Sequence, residues 1–422
     1  MQYQKMVLDN GLKLAGCEMK DKNSFAAGVW INTGSRNESA RISGISHFLE
    51  HIVFKGSRGY SCKKLKESIE GVGGSFNAFT SEEMTCYWIK LPARYWELAL
   101  DILSDMALYP LMKDADIEKE RQVILEEIKM YKDLPQSYVH EMLDGLLWPG
   151  HPLGRSILGS NETMSRLNAR DLREYHRAQY TAANMVVSCA GRMDFGAVER
   201  KVSGIFGRMA QKPANTCVPA GKQAKRPVFR LLHKETEQAH VALGFPALRR
   251  DHPLKYAQML LQVILGGNSS SRLFNEIREK RGLAYEIGAE VKRLKDTGAF
   301  IVHAGVANKK LSQAVRLALS ELARVRKDRV PASELRRAKE FCTGQMMLSL
   351  EDSLTHMLWI GEPALRGEKM YSLEDIMRRI NAVSAEDIRT VARRVFTARS
   401  GRMAVIGPFK GRERELEGLL RC

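Results

Sequence analysis

The run His47-Phe48-Leu49-Glu50-His51 constrains this chain more than any other stretch. Two imidazoles four residues apart face the same side of one helix, where they can hold a single ion between them. Neutral imidazole nitrogens are good zinc ligands, and the Glu beside the second His is placed to take a proton from water rather than to enter the coordination sphere. The order H-x-x-E-H reverses that of the commoner zinc-protease motif. It points to zinc-dependent peptide hydrolysis, provided that the fold brings a third ligand to the same place.

That ligand requires a second acidic helix. Residues 117–128 have helical periodicity, with Ile117, Val123, Ile124 and Ile128 as an apolar stripe and carboxylates flanking it. Glu120 and Glu127 are two turns apart and therefore near one face. Glu126 points roughly 100° away from Glu127 and reads as a solvated carboxylate.

The order His47, Glu50, His51 and then Glu127, 76 positions after the second His, resembles the pitrilysin and mitochondrial processing peptidase family, and its bacterial processing-peptidase-like members in particular. Further segments carry the same resemblance: Thr33-Gly34-Ser35-Arg36-Asn37-Glu38, Phe54-Lys55-Gly56-Ser57, Gly73-Gly74-Ser75-Phe76-Asn77-Ala78-Phe79-Thr80 and His151-Pro152-Leu153-Gly154. In the second half it continues through Gly266-Gly267-Asn268-Ser269-Ser270-Ser271-Arg272-Leu273-Phe274 and Arg281-Gly282-Leu283-Ala284-Tyr285. It covers essentially the whole chain.

The resemblance implies an α+β fold of two homologous domains, each with helices packed on a largely antiparallel sheet, arranged as a clamshell around a chamber. It implies one Zn2+ per chain on His47, His51 and Glu127, with Glu50 as general base and then general acid. Glu120 would accept a hydrogen bond from a metal-bound His, the alternative being an ordinary surface charge. Asn77, Ala78 and Phe79 would pair with an extended substrate, the alternative being a Gly bulge at a strand start. Phe54 would line a pocket for the residue after the scissile bond. Arg281 and Tyr285 would hold a substrate carbonyl; their spacing puts both on one face if the segment is helical, while Gly282 argues for a turn.

Partners follow from the same resemblance: a peptide or unfolded polypeptide substrate and a homodimer, with the site completed within one chain or across the dimer. Cleavage of basic leader peptides is one possibility, but the region beyond Glu127 offers Glu141 and Asp144 alongside Ser137 and His140, a partial version of the acidic pair used by presequence-cleaving relatives. The competing reading is a catalytically inactive structural or partner subunit of the same fold. Such relatives typically lose the metal motif, which is complete here.

Charge bears on partners. The formal net charge is +17, yet residues 1–210 hold 27 Lys and Arg against 26 Asp and Glu, so the excess lies in residues 211–422, with 39 against 23. It is dispersed and carries no aromatic interleaving, which argues against nucleic-acid binding. Residues 101–150 are locally acidic, 5 basic against 11 acidic, and contain the second metal-site helix. No stretch approaches the roughly 18 apolar residues of a membrane span, and the N-terminus lacks secretory or transit character. Seven cysteines without paired spacing favour a reducing compartment, and the expected location is cytoplasmic.

Residues 211–227 lack periodicity, contain three prolines and no acidic residue, and read as a linker. The expected division is a zinc-binding catalytic domain at 1–210 and a substrate-positioning domain at 228–422. Strands are expected at 26–31 and 240–245 and a strand-rich stretch at 78–91, with helices at 96–106 and 115–132.

Overall fold

A computed structural model describes residues 3–212, 217–221, 226–397 and 399–421. Parts of the expected linker, 213–216 and 222–225, lie outside the described residues. The first half contributes strands β1 (Tyr3–Val7), β2 (Lys13–Glu18), β3 (Ser24–Ile31), β4 (Ser75–Thr80), β5 (Thr85–Pro92) and β6 (Met185–Gly191). Its helices are α1 (Ile45–Val53), α2 (Cys62–Glu70), α3 (Trp96–Leu108), α4 (Asp114–Asp133), α5 (Pro135–Leu147), α6 (Asn161–Arg166), α7 (Ala169–Gln179) and α8 (Phe195–Phe206). The second half contributes β7 (Val228–His233), β8 (Gln238–Pro246), β9 (Ala284–Arg293), β10 (Gly298–Ala307) and β11 (Arg402–Gly407). Its helices are α9 (Lys255–Gly266), α10 (Leu311–Lys327), α11 (Ala332–Ser349), α12 (Ser353–Arg366), α13 (Leu373–Asn381), α14 (Ala385–Val395) and α15 (Glu413–Gly418).

Two sheets result, ordered β1-β2-β6-β3-β5-β4 and β7-β11-β8-β10-β9. In each, one neighbouring pair is parallel, β2 with β6 and β7 with β11, and every other pair is antiparallel. Leaving out β1, the second order repeats the first strand for strand. Duplication is thus plain in topology although faint in sequence. The strand-rich stretch 78–91 is a hairpin, β4 and β5 meeting through a turn in which Ser81 N–H donates to the Met84 carbonyl.

Six alternating segments form two compact units: 1–128, 156–218 and 347–374 in the first, and 129–155, 219–346 and 375–422 in the second. This differs from a simple division at 211–227, because α5 belongs with the second sheet and α12 with the first. In the first unit, α1, α3 and α8 cover one face of the sheet through a core that includes Leu14, Val29, Phe48, Leu103 and Val198. The opposite face, with Cys17, Trp30, Val186 and Ala190, is covered by Met357, Ile360 and Ala364 of α12. In the second unit, α9, α10 and α14 share one core with the sheet. There α5 covers the other face, packing Val139, Met142, Leu143 and Leu147 on Ala242, Ile301 and Ala404. Each half therefore donates one amphipathic helix to the sheet built by the other.

Candidate metal centre

Helix α1 is fixed at its N-terminal end and from below. Gly44, with φ +92°, sits in the left-handed region at its N-cap. Buried Glu38 accepts from Gly44 N–H at 2.7 Å and Ser46 N–H at 2.9 Å, satisfying donors that have no partner inside the helix. A carboxylate there also meets the positive end of the helix dipole. Ile45, Phe48, Leu49, Ile52 and Val53 are buried in the core. On α7, the Tyr175 hydroxyl bonds Ser46 Oγ at 2.7 Å and Thr33 Oγ1 at 2.8 Å. With its apolar face buried, α1 presents His47 and His51 together, ring centroids 4.6 Å apart.

Helix α4 brings Glu127 to them. Its Oε2 lies 3.7 Å from His47 Nε2 and 3.8 Å from His51 Nε2, and one ligand atom from each of the three residues falls within 4.8 Å of the others. Bonds of about 2.1 Å to a tetrahedral zinc place ligand atoms about 3.4 Å apart, close to the two Glu127 separations, so the three residues fit the ion once the set draws in. No other such group of three occurs among the described residues.

Glu120, one of the buried residues of α4, has Oε2 3.1 Å from His51 Nδ1 and Oε1 2.5 Å from Lys55 Nζ. A proton on Nδ1 shared with that carboxylate leaves the Nε2 lone pair aimed at Glu127 and the ion. Burial, with the nearby charge of His51 second, pushes His47 down to about 3, so its imidazole is neutral, the form that ligates. Burial also raises Glu127, with His51 acting in the opposite sense.

Glu50 stands outside the ligand set. Thr80, at the end of β4, donates from Oγ1 to Glu50 Oε2 at 2.5 Å. Burial raises the Glu50 carboxyl above its ordinary range, opposed by the Thr80 hydrogen bond and His51 and reinforced by Glu127. The centre thus pairs a three-ligand cradle with one carboxylate held beside it by a strand.

That strand is the edge of its sheet: among the described residues β4 pairs only with β5. Asn77 Oδ1 accepts from the Ala78 N–H at 2.8 Å, so a side chain occupies a backbone donor on this edge. Alternation sends Ala78 and Phe76 to the core beside α1, and Phe79 to the opposite face, where it packs against Trp30 at 5.8 Å. The three expected substrate residues therefore do not share a face; what they offer jointly is backbone. Phe54, at the end of α1, stacks near Phe76 (5.5 Å) and Tyr87 (6.1 Å) at the rim of the core.

Arg281 and Tyr285 belong to the second unit. The turn reading of their segment holds: Gly282 has φ +55° and Tyr285 lies in β9. Arg281 Nη1 donates to Glu276 at both its carbonyl and Oε2, while Tyr285 is 76% exposed. Asp144 is engaged by Lys292 Nζ at 2.6 Å, and His140 by Glu290 at 3.2 Å.

On α4 the apolar stripe is Ile117, Ile124 and Ile128; Val123 is half exposed, since three- and four-residue steps from Ile117 lead through Glu120 to Ile124 and Glu127. Sequence reasoning missed Thr80 and Lys55, although both stand inside quoted motifs. It also missed the role of Glu38, which stands inside the Thr33–Glu38 segment, and that of Tyr175, which no local pattern marks.

Comparison with known proteins agrees with this geometry. Residues 17–161 match the insulinase family (peptidase family M16), and residues 166–341 match the peptidase M16 inactive domain. The chain is 36% identical over 394 residues to the uncharacterized zinc protease YmxG of Bacillus subtilis, covering 93% of this chain and 96% of that one. It is 35% identical to an uncharacterized zinc protease of Streptomyces coelicolor, covering 97% and 90%. Among solved structures, a protease from Helicobacter pylori superposes with a TM-score of 0.90 at 22% identity, covering 96% of this chain and 99% of that one. A peptidase M16 inactive domain from Pseudomonas fluorescens gives 0.90 at 19%, covering 97% and 98%. With relatives above 30% identity along nearly their whole length and the ligand triad in place, the chain belongs to the insulinase family, peptidase family M16.

Proposed function

We propose that this protein is a zinc metalloendopeptidase that hydrolyses peptides or unfolded polypeptide segments. The observation that carries the reading is the convergence of His47, His51 and Glu127 on one point with Glu50 beside them but outside the ligand set. The zinc-protease names of the relatives support the same metal. When bound, one zinc per chain supplies Lewis acidity and brings the pKa of water near about 7. Glu50 takes a proton from the attacking water and returns it to the leaving amine. The Thr80 hydroxyl holds Glu50 in place, and Glu120 holds His51 in the tautomer that ligates. The β4 edge pairs with the substrate backbone, a substrate carbonyl replacing Asn77 Oδ1 on the Ala78 N–H. Phe54 borders the space for the residue after the scissile bond.

In this reading Arg281 and Tyr285 hold a substrate carbonyl, which requires Arg281 to exchange its Glu276 contact for substrate. The protein works in the cytoplasm as a homodimer, without nucleic-acid or membrane partners; no helix among the described residues is long and apolar enough to cross a membrane. Metal analysis paired with hydrolysis of a quenched peptide library, with and without chelator, tests the central claim. One zinc per chain and chelator-sensitive cleavage are expected. A zinc-loaded protein that cleaves nothing would instead favour an inactive partner subunit.

A further inference from the structure

A cleft of about 370 Å³ in the first unit lies beside α7 and is lined on its charged side by Arg173, Arg177 and Lys212. No carboxylate lines it, and among the described residues none pairs with these three cations. Arg173 and Arg177 are four residues apart on α7, hence neighbours on one helical face. Arg173 makes one long contact, from Nη1 to the Met112 carbonyl at 3.4 Å. His176, between them in sequence, is committed through Nε2 to the Ala107 carbonyl at 2.7 Å. Thr181 also lines the cleft; it is 95% buried by residue, and its hydroxyl has no hydrogen-bond partner. The remaining wall, with Leu108, Pro110, Met112 and Met209, is apolar.

Arg173, Arg177 and Lys212 are exposed, and three cations on one rim without a carboxylate raise a positive potential that attracts anions; a buried hydroxyl without a partner is uncommon. Three cations exceed what a monocarboxylate needs, while a phosphoryl group offers two charges and three acceptor oxygens that suit two guanidiniums at once. The volume exceeds that of phosphate alone and falls in the range of small-molecule sites. We propose that this cleft binds a small phosphorylated molecule with an apolar or planar body, its phosphoryl group held by Arg173, Arg177 and Lys212 and its body against the Pro110 and Met112 wall.

The site is separate from the metal centre. The opposite face of α7 carries Tyr175, whose hydroxyl bonds Ser46 next to His47.

Calorimetric titration of the full chain at constant ionic strength with adenosine monophosphate, inorganic phosphate and benzoate tests the proposal. Adenosine monophosphate should bind saturably, inorganic phosphate more weakly and benzoate not at all. The double variant Arg173→Ala/Arg177→Ala should weaken nucleotide binding at least about tenfold for each guanidinium removed, with zinc content and melting temperature unchanged. Arg173→Lys/Arg177→Lys should retain part of the affinity. Because the double variant keeps the metal ligands, equal nucleotide binding by variant and parent would place the anion elsewhere and overturn the assignment. So would benzoate binding as tightly as the nucleotide, or no saturable binding of either phosphate.

Discussion

Glu50 and His51 are adjacent in sequence yet separate in task, and substitution distinguishes them. Glu50→Gln should retain one zinc per chain while kcat falls by about 10²- to 10⁴-fold, the usual range for loss of a general base; His51→Ala should lose metal and activity together. Elemental analysis beside peptide turnover reads both, and a zinc-free Glu50→Gln protein would mean that base and ligand have been exchanged. Thr80→Val keeps the strand and removes only the hydroxyl that holds Glu50, so kcat should fall by about tenfold, the worth of one charge-assisted hydrogen bond, with zinc retained. The two His were legible in sequence because helical period decides which side chains share a face; on the acidic helix the period offers both Glu120 and Glu127, and the family resemblance singles out Glu127. Thr80 and Lys55 were not legible, because their contacts depend on where the β4 edge and the end of α1 come to lie. A further residue-scale consequence concerns pH. Burial holds His176 below its ordinary value of 6.5, so at pH above 6.5 both folded and unfolded forms are neutral there and nothing is lost. As pH falls below 6.5 the unfolded chain takes a proton that the folded one resists, and stability drops, by at most about 1.4 kcal/mol per pH unit for this group, until the folded pKa is passed. Denaturant unfolding at pH 7.5 and 5.5 should show the decline, and His176→Gln should reduce its slope.

At the level of elements, α12 lies so close to the first sheet that a Cβ on Gly361 would collide with the Trp30 indole, whose Nε1 donates to Ser188 Oγ at 2.7 Å. Gly361→Val should therefore lift the helix and destabilise by about 1–3 kcal/mol or more. Gly344, on α11 with open space around it, is the control: Gly344→Ala should stabilise by about 0.4–1 kcal/mol through helix propensity and a stiffer unfolded chain. Melting curves of the two variants should move in opposite directions. Helix and strand periods in the sequence located β3, β8, α3 and α4 to within a few residues, since each buries a face in its own period. Periodicity shows that a helix such as α5 or α12 has an apolar face, but not which sheet receives it. That pairing is a property of topology, and it is where a division at the linker and the compact units differ.

For the whole molecule, the reciprocal helices make the halves poor independent proteins. A chain ending at residue 210 would lack α12 and leave the Cys17, Trp30 and Val186 face uncovered, and an apolar surface of that kind promotes association. It should be largely insoluble, whereas adding residues 347–374 on a flexible tether should recover soluble material; sedimentation of the two products compares them. The same feature imposes a schedule on synthesis. The first sheet is complete once Gly191 has been made, but its covering helix ends at Arg366, 175 residues later, which at about 5–20 residues per second is roughly 9–35 s. Meanwhile α5 has already left the ribosome, and the last of the strands it packs on, β11, ends only at Gly407. Throughout that interval the nascent chain carries one bare sheet face and one unpartnered apolar helix, so its yield in the cell should depend on chaperone capacity and elongation rate, and slowing translation between codons 191 and 366 should lengthen the exposure.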